Sequence, residues 1–312
     1  MNHFINIQDI ADLNHWLEKG RELAETPDCC KNLGSGKTLC LLFFNSSLRT
    51  RLSTQKAARL LGLEVMVMNF GAEGWNLEME DGTRMDGGAA EHIREAAGVV
   101  GKYADLIGVR AFAGLEDAQK DRAEKILKGF QKYAGVPLLN LESATAHPLQ
   151  ALADALTIAS NKKEGHPRVV LSWAPHPRAL PQAVPNSFVR MMRRMPVELV
   201  ITHPEGYELD AFQVGEYQPV HDQASALAGA DFVYVKNWSS FKQYGKVLSE
   251  DPAWMMTGEK LAGAHFMHCL PVRRNVVVED AVLDGDRSLV LEQASNRTIA
   301  AQLALLHMLE AL

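Results

Sequence analysis

Residues 37–51 read Lys37-Thr38-Leu39-Cys40-Leu41-Leu42-Phe43-Phe44-Asn45-Ser46-Ser47-Leu48-Arg49-Thr50-Arg51, an apolar run that ends in hydroxyl residues and two arginines. The continuous apolar part predicts a strand buried on both faces, as in a parallel sheet. Leucines then recur at helical spacing as far as Leu61, and Asn45, Ser46 and Ser47 are each N-cap candidates. A buried strand followed directly by a helix is the repeating unit of α/β folds.

The turn between this strand and this helix predicts an anion-binding site. The first N–H groups of a helix have no partner within the helix and carry a partial positive charge, so they hold an anion. Arg49 and Arg51 would add charge-assisted hydrogen bonds, and Ser47 and Thr50 would add hydroxyl donors. Phosphate suits this set, although an ordinary capped helix with solvated arginines has the same pattern.

The composition is that of a globular protein with room for two domains. The chain has 312 residues, of which 47% are hydrophobic and 22% charged. Its formal charge of -6 argues against a nucleic-acid-binding protein, and no apolar run approaches the length of a membrane span. The first residues, with Asp9, Asp12 and Glu18, lack a signal-peptide pattern, so we expect a cytoplasmic protein that binds neither nucleic acid nor membrane. Four cysteines without C-x-x-C spacing indicate neither a zinc site nor a disulfide framework.

Strand and helix patterns alternate along the whole chain. Strands are predicted near 37–44, 64–69, 105–112, 137–143, 168–173, 197–202, 232–235 and 265–269, and helices near 47–62, 92–104, 121–135 and 147–162. The fold class is therefore α/β, with two doubly wound parallel-sheet domains spanning 1–145 and 146–294. The polar segment 161–167 separates the two halves. The last helix, about 295–312, is predicted to return to the first domain.

Polar chemistry is concentrated where the predicted strands end, and ligands of open α/β sheets bind beyond the carboxyl ends of strands. These positions include Arg110, Glu142, His147, Gln150, His176, Arg178, Lys236, His268, Cys269, Arg273 and Arg274. Each alone has an ordinary explanation, such as a surface histidine, a structural ion pair or a buried thiol. Their shared location favours a functional site, because we expect all of these residues to line one crevice between two such domains.

Several common nucleotide and hydrolase motifs are excluded. Gly34-Ser35-Gly36-Lys37-Thr38 suggests a P-loop, but Lys31 replaces the required first glycine and the segment precedes a strand instead of following one. No G-x-G-x-x-G follows a predicted strand, which weakens a dinucleotide-dependent dehydrogenase. A G-x-S-x-G elbow and a metal-ligand cluster are also missing from the sequence.

Three motifs, Ser47-Leu48-Arg49-Thr50-Arg51, His147-Pro148-Leu149-Gln150 and His268-Cys269-Leu270-Pro271, occur in an order that resembles the aspartate/ornithine transcarbamylase family. The segments 43–51 and 173–187, together with Lys236-Asn237-Trp238, resemble its N-acylornithine carbamoyltransferases, which use N-succinyl- or N-acetyl-L-ornithine. Ordinary ornithine enzymes hold the free α-amino group with an Asp and a Ser-Met-Gly loop, and this chain has no such loop. The resemblance covers essentially the whole chain.

This resemblance implies a carbamoyl-phosphate-binding domain, 1–145 with the returning helix, and an acylornithine-binding domain, 146–294. It implies a homotrimer whose sites lie at subunit boundaries, with no metal and no organic cofactor. It also implies a trefoil knot in the second domain, crossed by the proline-rich loop 177–185, as an exception to the general rule against threaded chains.

The resemblance also implies the site residues. The carbamoyl-phosphate contacts would be Ser47, Leu48, Arg49, Thr50, Arg110, His147, Pro148, Leu149, Gln150, Cys269, Leu270 and Arg297, with Trp75 reaching in from a neighbouring subunit. Acylornithine would be held by Glu142, His176, Lys236 and Arg273. Thr50, Arg110 and His147 would be catalytic, because they would stabilise charge on the carbonyl oxygen as the neutral δ-amine attacks. No covalent enzyme intermediate is needed.

The acyl group is a separate question, since a succinyl tail ends in a carboxylate and an acetyl tail does not. Arg178 can hold a carboxylate with two hydrogen bonds, and the resemblance associates Arg here with succinyl and Lys with acetyl users. Acetyl users carry Glu and succinyl users Pro at the position of Ala90, which is neither, and the missing glutamate leaves the pocket open to succinate. Some acetyl users have a carboxylated lysine after the Arg-Arg-Asn segment, where this chain has Val276-Val277-Val278. We therefore expect N-succinyl-L-ornithine to be the better substrate.

Three alternatives stay open. The first is N-acetyl-L-ornithine as the acceptor, and the second is ordinary ornithine or aspartate transcarbamylation. The third is a non-catalytic protein that binds a phosphorylated metabolite. Arg110, His147 and Arg273 exceed what simple phosphate binding requires, which argues against the third alternative.

Overall fold

The computed structural model describes residues 2–162 and 165–310. The chain forms two compact units, which are unit 1 (Met1–Ala113, Gln119–Leu149 and Arg297–Leu312) and unit 2 (Gly114–Ala118 and Gln150–Asn296). Lys163 and Glu164 of the polar segment, and the last two residues of the predicted final helix, lie outside the described residues.

The elements alternate in the order expected for an α/β fold. The first half contains α1 (Leu13–Glu25), β1 (Thr38–Phe43), α2 (Arg49–Leu60), β2 (Glu64–Asn69), α3 (Phe70–Glu73), β3 (Leu77–Glu78), β4 (Glu91–His92), α4 (Ile93–Tyr103), β5 (Leu106–Arg110), α5 (Ala118–Ala123), α6 (Lys125–Tyr133) and β6 (Leu138–Glu142). The second half contains α7 (Pro148–Asn161), β7 (Arg168–Trp173), α8 (Ala183–Met192), β8 (Glu198–Thr202), α9 (Ala211–Val214), α10 (Gln223–Leu227), β9 (Phe232–Lys236), α11 (Gly258–Leu261), β10 (His265–Met267), α12 (Asp280–Leu283) and α13 (Val290–Leu309). Short 3-10 turns occur at Ile7–Asp9 and Pro252–Trp254.

The sheet of unit 1 is parallel, with strand order β2-β1-β5-β6. The chain moves from β1 outward to β2 and then crosses to the other side of β1 to form β5. This makes the β1/β5 pair the topological switch point, where loops diverge and a ligand crevice opens. Phe43 pairs with Arg110 in register, so the two polar loops begin side by side.

The sheet of unit 2 repeats this plan with strand order β10-β9-β7-β8, again all parallel. Its switch point is the β7/β9 pair, where Trp173 pairs with Lys236. The predicted class of two doubly wound parallel-sheet domains is therefore confirmed. The trefoil knot stays a prediction.

Each sheet has its own hydrophobic core. In unit 1 the core includes Leu42, Ile107 and Phe130, and Phe70 stacks on Phe44 with ring centroids 4.5 Å apart. In unit 2 it includes Val233 and Phe266 among other buried residues. Central strands such as β5, buried along their whole length, explain the continuous apolar runs of the sequence. No helix in the described part of the chain has the length and apolar character needed to cross a membrane.

Two predicted helices have different bounds in the structure. The helix predicted at 121–135 is divided into α5 and α6 at Glu124, whose backbone is left-handed with φ of 48°. The Glu124 carboxylate accepts hydrogen bonds from the backbone N–H of Thr145, at 3.0 Å, and from its hydroxyl, at 2.8 Å. This distant contact stabilises a break that no local pattern indicates. The final helix begins at Val290, five residues before the predicted start at 295.

Candidate active site

The turn after β1 is fixed by Asn45, although not as a helix cap. The residue before α2 is Leu48, which has no side-chain capping bond, so the predicted caps at Asn45, Ser46 and Ser47 are wrong. Asn45 Oδ1 instead accepts from the backbone N–H of Phe112 at 2.7 Å. This bond ties the loop after β1 to the loop after β5. The start of α2 thus has no side-chain cap, and a bound anion could accept from its N–H groups.

Arg110 is the last residue of β5, and its guanidinium is nearly buried in unit 1. It donates to the backbone carbonyls of Asn45, at 3.1 Å, and Ser46, and to Glu142 Oε2 at 3.1 Å. Its guanidinium carbon also lies 4.0 Å from the centre of the Phe112 ring. Burial lowers the pKa of Arg110, Glu142 opposes that shift, and Arg49 adds to it. An arginine stays protonated under such shifts, so the cluster holds a fixed positive charge.

His147 is buried in the same cluster. Its Nε2 lies 3.5 Å from Glu142 Oε2 and 3.4 Å from Arg297 Nη2. Burial lowers the pKa of His147 well below its ordinary value, and Arg297, Arg110 and Arg49 lower it further. The ring is therefore neutral at physiological pH.

Thr50 completes the buried part of the cluster from the first turn of α2. Its hydroxyl accepts from Arg297 Nη2 at 2.6 Å, and Arg297 itself comes from α13 at the other end of the sequence. Unit 1 therefore brings together five of the sequence-predicted site residues, Thr50, Arg110, Glu142, His147 and Arg297. A helix start, neighbouring arginines and a neutral histidine at a switch point could together hold an anion that also presents a polar neutral group.

Trp75 and Ala90 lie elsewhere in unit 1, around the short β3/β4 pair. Trp75 is 55% exposed, and its Nε1 donates to Glu91 Oε2 at 3.0 Å. The backbone N–H of Ala90 donates to the carbonyl of Asn76, also at 3.0 Å. The structure therefore groups these two predicted residues with each other, away from the ends of the main strands.

Unit 2 has a second cationic group at the end of β7 and β9. Arg273 Nε donates to His176 Nε2 at 3.1 Å, and His176 Nδ1 lies 2.9 Å from the carbonyl of Arg178. Burial lowers the pKa of His176, and Lys236, Arg273 and Arg178 lower it further against the opposing carbonyl bond. His176 Nε2 thus accepts from Arg273, and Nδ1 lies within hydrogen-bonding distance of both the carbonyl and the backbone N–H of Arg178, the latter at 3.1 Å. Arg178 and Arg273 are exposed, so this group is open to solvent.

The other predicted carbamoyl contacts of unit 2 lie in a buried polar network. Gln150, in the first turn of α7, donates from Nε2 to Asp154 Oδ1 at 2.8 Å. After β10, the backbone N–H of Leu270 donates to His268 Nδ1 at 2.8 Å. Sequence reasoning did not find Asp154 or its second partner, Gln293. A carboxylate four residues after Gln150 in an otherwise apolar helix was the available signal.

A metal centre finds no support in the described residues. Within residues 2–162 and 165–310, no group of three or more His, Cys, Asp or Glu side chains is placed to hold a metal ion. None of the four cysteines forms a disulfide bond within the described part of the chain.

Both halves of the chain match known protein families. Residues 2–160 match the aspartate/ornithine carbamoyltransferase carbamoyl-P binding domain, and residues 181–309 match the Asp/Orn binding domain of the same family. N-succinylornithine carbamoyltransferase of Bacteroides thetaiotaomicron is 48% identical, with 100% of both chains covered. N-acetylornithine carbamoyltransferase of Xanthomonas campestris is 38% identical, covering 95% of this chain and 94% of that protein.

A solved structure shares the fold over the same length. It is an N-acetyl-L-ornithine transcarbamylase with one glutamate replaced by alanine, complexed with carbamyl phosphate and N-succinyl-L-norvaline. The TM-score is 0.89 at 36% identity, with 99% of this chain and 100% of that chain covered. The chain described here belongs to the aspartate/ornithine carbamoyltransferase family.

Proposed function

We propose that this protein transfers the carbamoyl group of carbamoyl phosphate to the δ-amine of N-succinyl-L-ornithine, giving N-succinyl-L-citrulline and phosphate. The observation that carries the proposal is the buried cluster of Thr50, Arg110, His147 and Arg297 beside the start of α2. Simple phosphate binding needs cations and N–H groups. It does not need a buried neutral histidine held between arginines and a carboxylate.

The phosphate group is assigned to the start of α2. There the N–H groups of Leu48, Arg49 and Thr50 and the Ser47 hydroxyl would donate to its oxygens, and Arg49 would neutralise its charge. The same contacts stabilise the departing phosphate. Both effects rest on the helix start being free of a side-chain cap.

The carbonyl oxygen is assigned to Thr50, Arg110 and His147. As the neutral δ-amine attacks the carbonyl carbon, negative charge grows on that oxygen, and fixed donors stabilise it without reorganising. The bond between the carbonyl carbon and the phosphate oxygen then breaks. The amine loses one proton, for which the departing phosphate is a suitable acceptor.

The acylornithine is assigned to Glu142 of unit 1 and to His176, Lys236 and Arg273 of unit 2. Arg178 is exposed next to His176 and is the cation that would hold the succinyl carboxylate. Two further observations support succinyl. The 48% identical relative carries that name, and an N-acetyl-L-ornithine transcarbamylase with one glutamate replaced by alanine is complexed with N-succinyl-L-norvaline.

Phosphate release from carbamoyl phosphate, measured with N-succinyl- and N-acetyl-L-ornithine, tests the proposal. We expect a higher kcat/KM with the succinyl form. Equal or higher efficiency with the acetyl form would replace the proposed substrate by N-acetyl-L-ornithine, the second candidate, which the solved acetyl-enzyme relatives favour. Tight carbamoyl phosphate binding without turnover on either acceptor would indicate the non-catalytic binding protein.

The Ala90→Glu variant tests the selectivity in the opposite direction. A glutamate there should repel the succinate carboxylate and shift the kcat/KM ratio towards acetyl. An unchanged ratio would remove Ala90 from the specificity argument.

We also propose that the protein acts as a cytoplasmic homotrimer in arginine biosynthesis, with Trp75 contributed to a neighbouring site. Trp75 is 55% exposed, Leu48, just before α2, is 66% exposed, and Leu52, within α2, is 58% exposed; these are apolar side chains that a neighbouring subunit would cover. Light scattering gives the oligomeric state. Mixing inactive Trp75→Ala with inactive Arg110→Ala protein should restore activity only if the tryptophan acts across subunits.

A further inference from the structure

Asp154 is a buried carboxylate that the proposed chemistry does not use. It lies on α7 and is fully buried, and its Oδ1 accepts from Gln150 Nε2 at 2.8 Å and from Gln293 Nε2 at 2.9 Å. A buried charge is tolerated only when it is hydrogen-bonded. Because Oδ1 accepts from Nε2 of both glutamines, both of their NH2 groups are directed towards Asp154.

This constraint orients the side chain of Gln150. Gln150 and Asp154 are four residues apart and therefore lie on the same face of α7. With its NH2 group directed at Asp154, the amide must present its oxygen in a different direction. An amide oxygen is the acceptor that the NH2 donor of a carbamoyl group requires.

Gln293 connects Asp154 by hydrogen bonds to the loop after β10. While its Nε2 donates to Asp154, its Oε1 accepts from the backbone N–H of His268 at 2.9 Å. His268 Nδ1 in turn accepts from the backbone N–H of Leu270 at 2.8 Å. Both the NH2 group and the oxygen of the Gln293 amide are thus hydrogen-bonded. Rotating the amide by 180° would lose both bonds.

Leu270 shows why this loop needs to be held. Its φ of 54° lies in the left-handed region, which is uncommon for a bulky residue and persists only where the surroundings fix it. The conformation of Leu270 sets the directions of the carbonyls at positions 269 and 270. The resemblance implies that Cys269 and Leu270 contact carbamoyl phosphate, and backbone carbonyls are acceptors of the kind that its NH2 group requires.

Tyr234 borders the carboxylate on β9. Burial raises the pKa of its phenol well above the ordinary value, and the nearby Asp154 carboxylate and Cys269 thiol raise it further. Tyr234 therefore stays protonated beside Asp154.

We propose that Asp154 is a positioning residue that, through Gln150 and Gln293, sets the direction of the acceptors for the carbamoyl NH2 group. This inference rests on the proposed function. It adds to that function a buried residue that orients the side chains and carbonyls proposed to contact carbamoyl phosphate. Asp154 itself does not touch substrate.

The test is the Asp154→Asn variant, assayed for both substrates and for direct binding of carbamoyl phosphate by calorimetry. An asparagine has the same shape but no charge, so its remaining oxygen is a weaker acceptor for the two glutamine NH2 groups. We expect KM and Kd for carbamoyl phosphate to rise about tenfold. The KM for N-succinyl-L-ornithine should stay within about twofold, because its assigned contacts are elsewhere.

Thr157→Val is the matched control. Thr157 is also a fully buried polar residue of α7, bonded to the carbonyl of Ala153 and to Asn296 Nδ2, outside the Gln150 and Gln293 chain. Its replacement reports the general cost of losing a buried polar contact in this helix. If circular dichroism shows that the Asp154→Asn variant does not fold, the Gln293→Met variant tests the same series of hydrogen bonds from its other end.

The outcomes are distinct. A Kd for carbamoyl phosphate that rises in Asp154→Asn or Gln293→Met but not in Thr157→Val supports the positioning role. A Kd in those variants within about twofold of Thr157→Val would overturn it while leaving the proposed function intact. Wild-type protein that neither binds carbamoyl phosphate nor releases phosphate would overturn both.

Discussion

The two sheets place cationic groups at the same topological position but bury them to different extents. At the β1/β5 switch point of unit 1, Arg110 is 7%, His147 3% and Arg297 4% exposed. At the β7/β9 switch point of unit 2, Arg178 and Arg273 are exposed. Two sheets with the same strand order thus place a buried cationic group in unit 1 and a solvent-exposed cationic group in unit 2.

The difference follows from what each group is proposed to do. Buried donors act in a low dielectric and are fixed by their mutual hydrogen bonds, as transition-state stabilisation requires. Exposed cations are screened by water and contribute less each, but one of them can be replaced without disturbing its neighbours. We therefore expect the chemical step to depend on the buried cluster of unit 1, and recognition of the succinyl carboxylate to depend on Arg178 of unit 2.

The largest effect should come from Arg110→Met. Removing a fixed donor from the carbonyl-oxygen site should lower kcat by about 10³-fold, measured as phosphate release. It also leaves the buried Glu142 carboxylate without its arginine, so the urea midpoint should fall. The double variant Arg110→Met/Glu142→Gln should recover part of the midpoint but none of the kcat. A loss of kcat below about tenfold would show that the buried cluster is structural.

Thr50→Val should have the next largest effect. The change removes the hydroxyl that accepts from Arg297 Nη2 at 2.6 Å and should lower kcat roughly 10-fold to 100-fold. Thr54→Val is the matched control, because Thr54 lies one turn later in α2 and its buried Oγ1 has no hydrogen-bond partner within the described residues. Its replacement should leave kcat unchanged. Equal effects of the two variants on kcat would contradict a specific role for Thr50.

The pH dependence of stability should distinguish the buried histidine from exposed ones. The pKa of His147 in the folded protein lies well below its ordinary value of 6.5, so below about pH 6.5 the unfolded chain binds a proton that the folded state does not. The free energy of unfolding should therefore fall on acidification, by up to about 1.4 kcal/mol per pH unit from this group.

Urea unfolding between about pH 7.5 and 5.5 measures this slope. His147→Gln should flatten it, whereas His166→Gln, at an exposed position, should not. A slope that is the same in both variants would assign the acid sensitivity to other groups.

The smallest effect is expected from Arg178→Lys in unit 2. A lysine keeps the charge but loses the paired hydrogen bonds, so kcat/KM for N-succinyl-L-ornithine should fall roughly threefold to tenfold. The kcat/KM for N-acetyl-L-ornithine should not change, because an acetyl group has no carboxylate to bind. The melting temperature should not change either, since the Arg178 side chain is exposed. A comparable loss with both substrates would remove Arg178 from succinate recognition.

Local sequence patterns predicted the secondary structure well where packing reinforces them. The strand predicted at 64–69 is β2, and the strand predicted at 168–173 is β7. The break at Glu124 was not predicted because it depends on Thr145, a distant contact. The helix caps before α2 were assigned wrongly because Asn45 bonds to Phe112 across the sheet instead.

For the site, the order of motifs indicated which residues to consider but not how they are connected. Arg110 and Glu142 stood out at strand ends, yet their ion pair depends on the neighbouring places of β5 and β6. Asp154 and Gln293 are separated by 139 residues, and only the fold brings their side chains within 2.9 Å.

By itself, the sequence determined the alternation of strands and helices, the division into two sheets and the family, because periodicity and motif order are properties of neighbouring residues. Only the tertiary structure decided which polar groups are buried, that His147 is neutral and which way Gln150 points. These depend on dielectric and hydrogen-bond geometry between residues that are far apart along the chain.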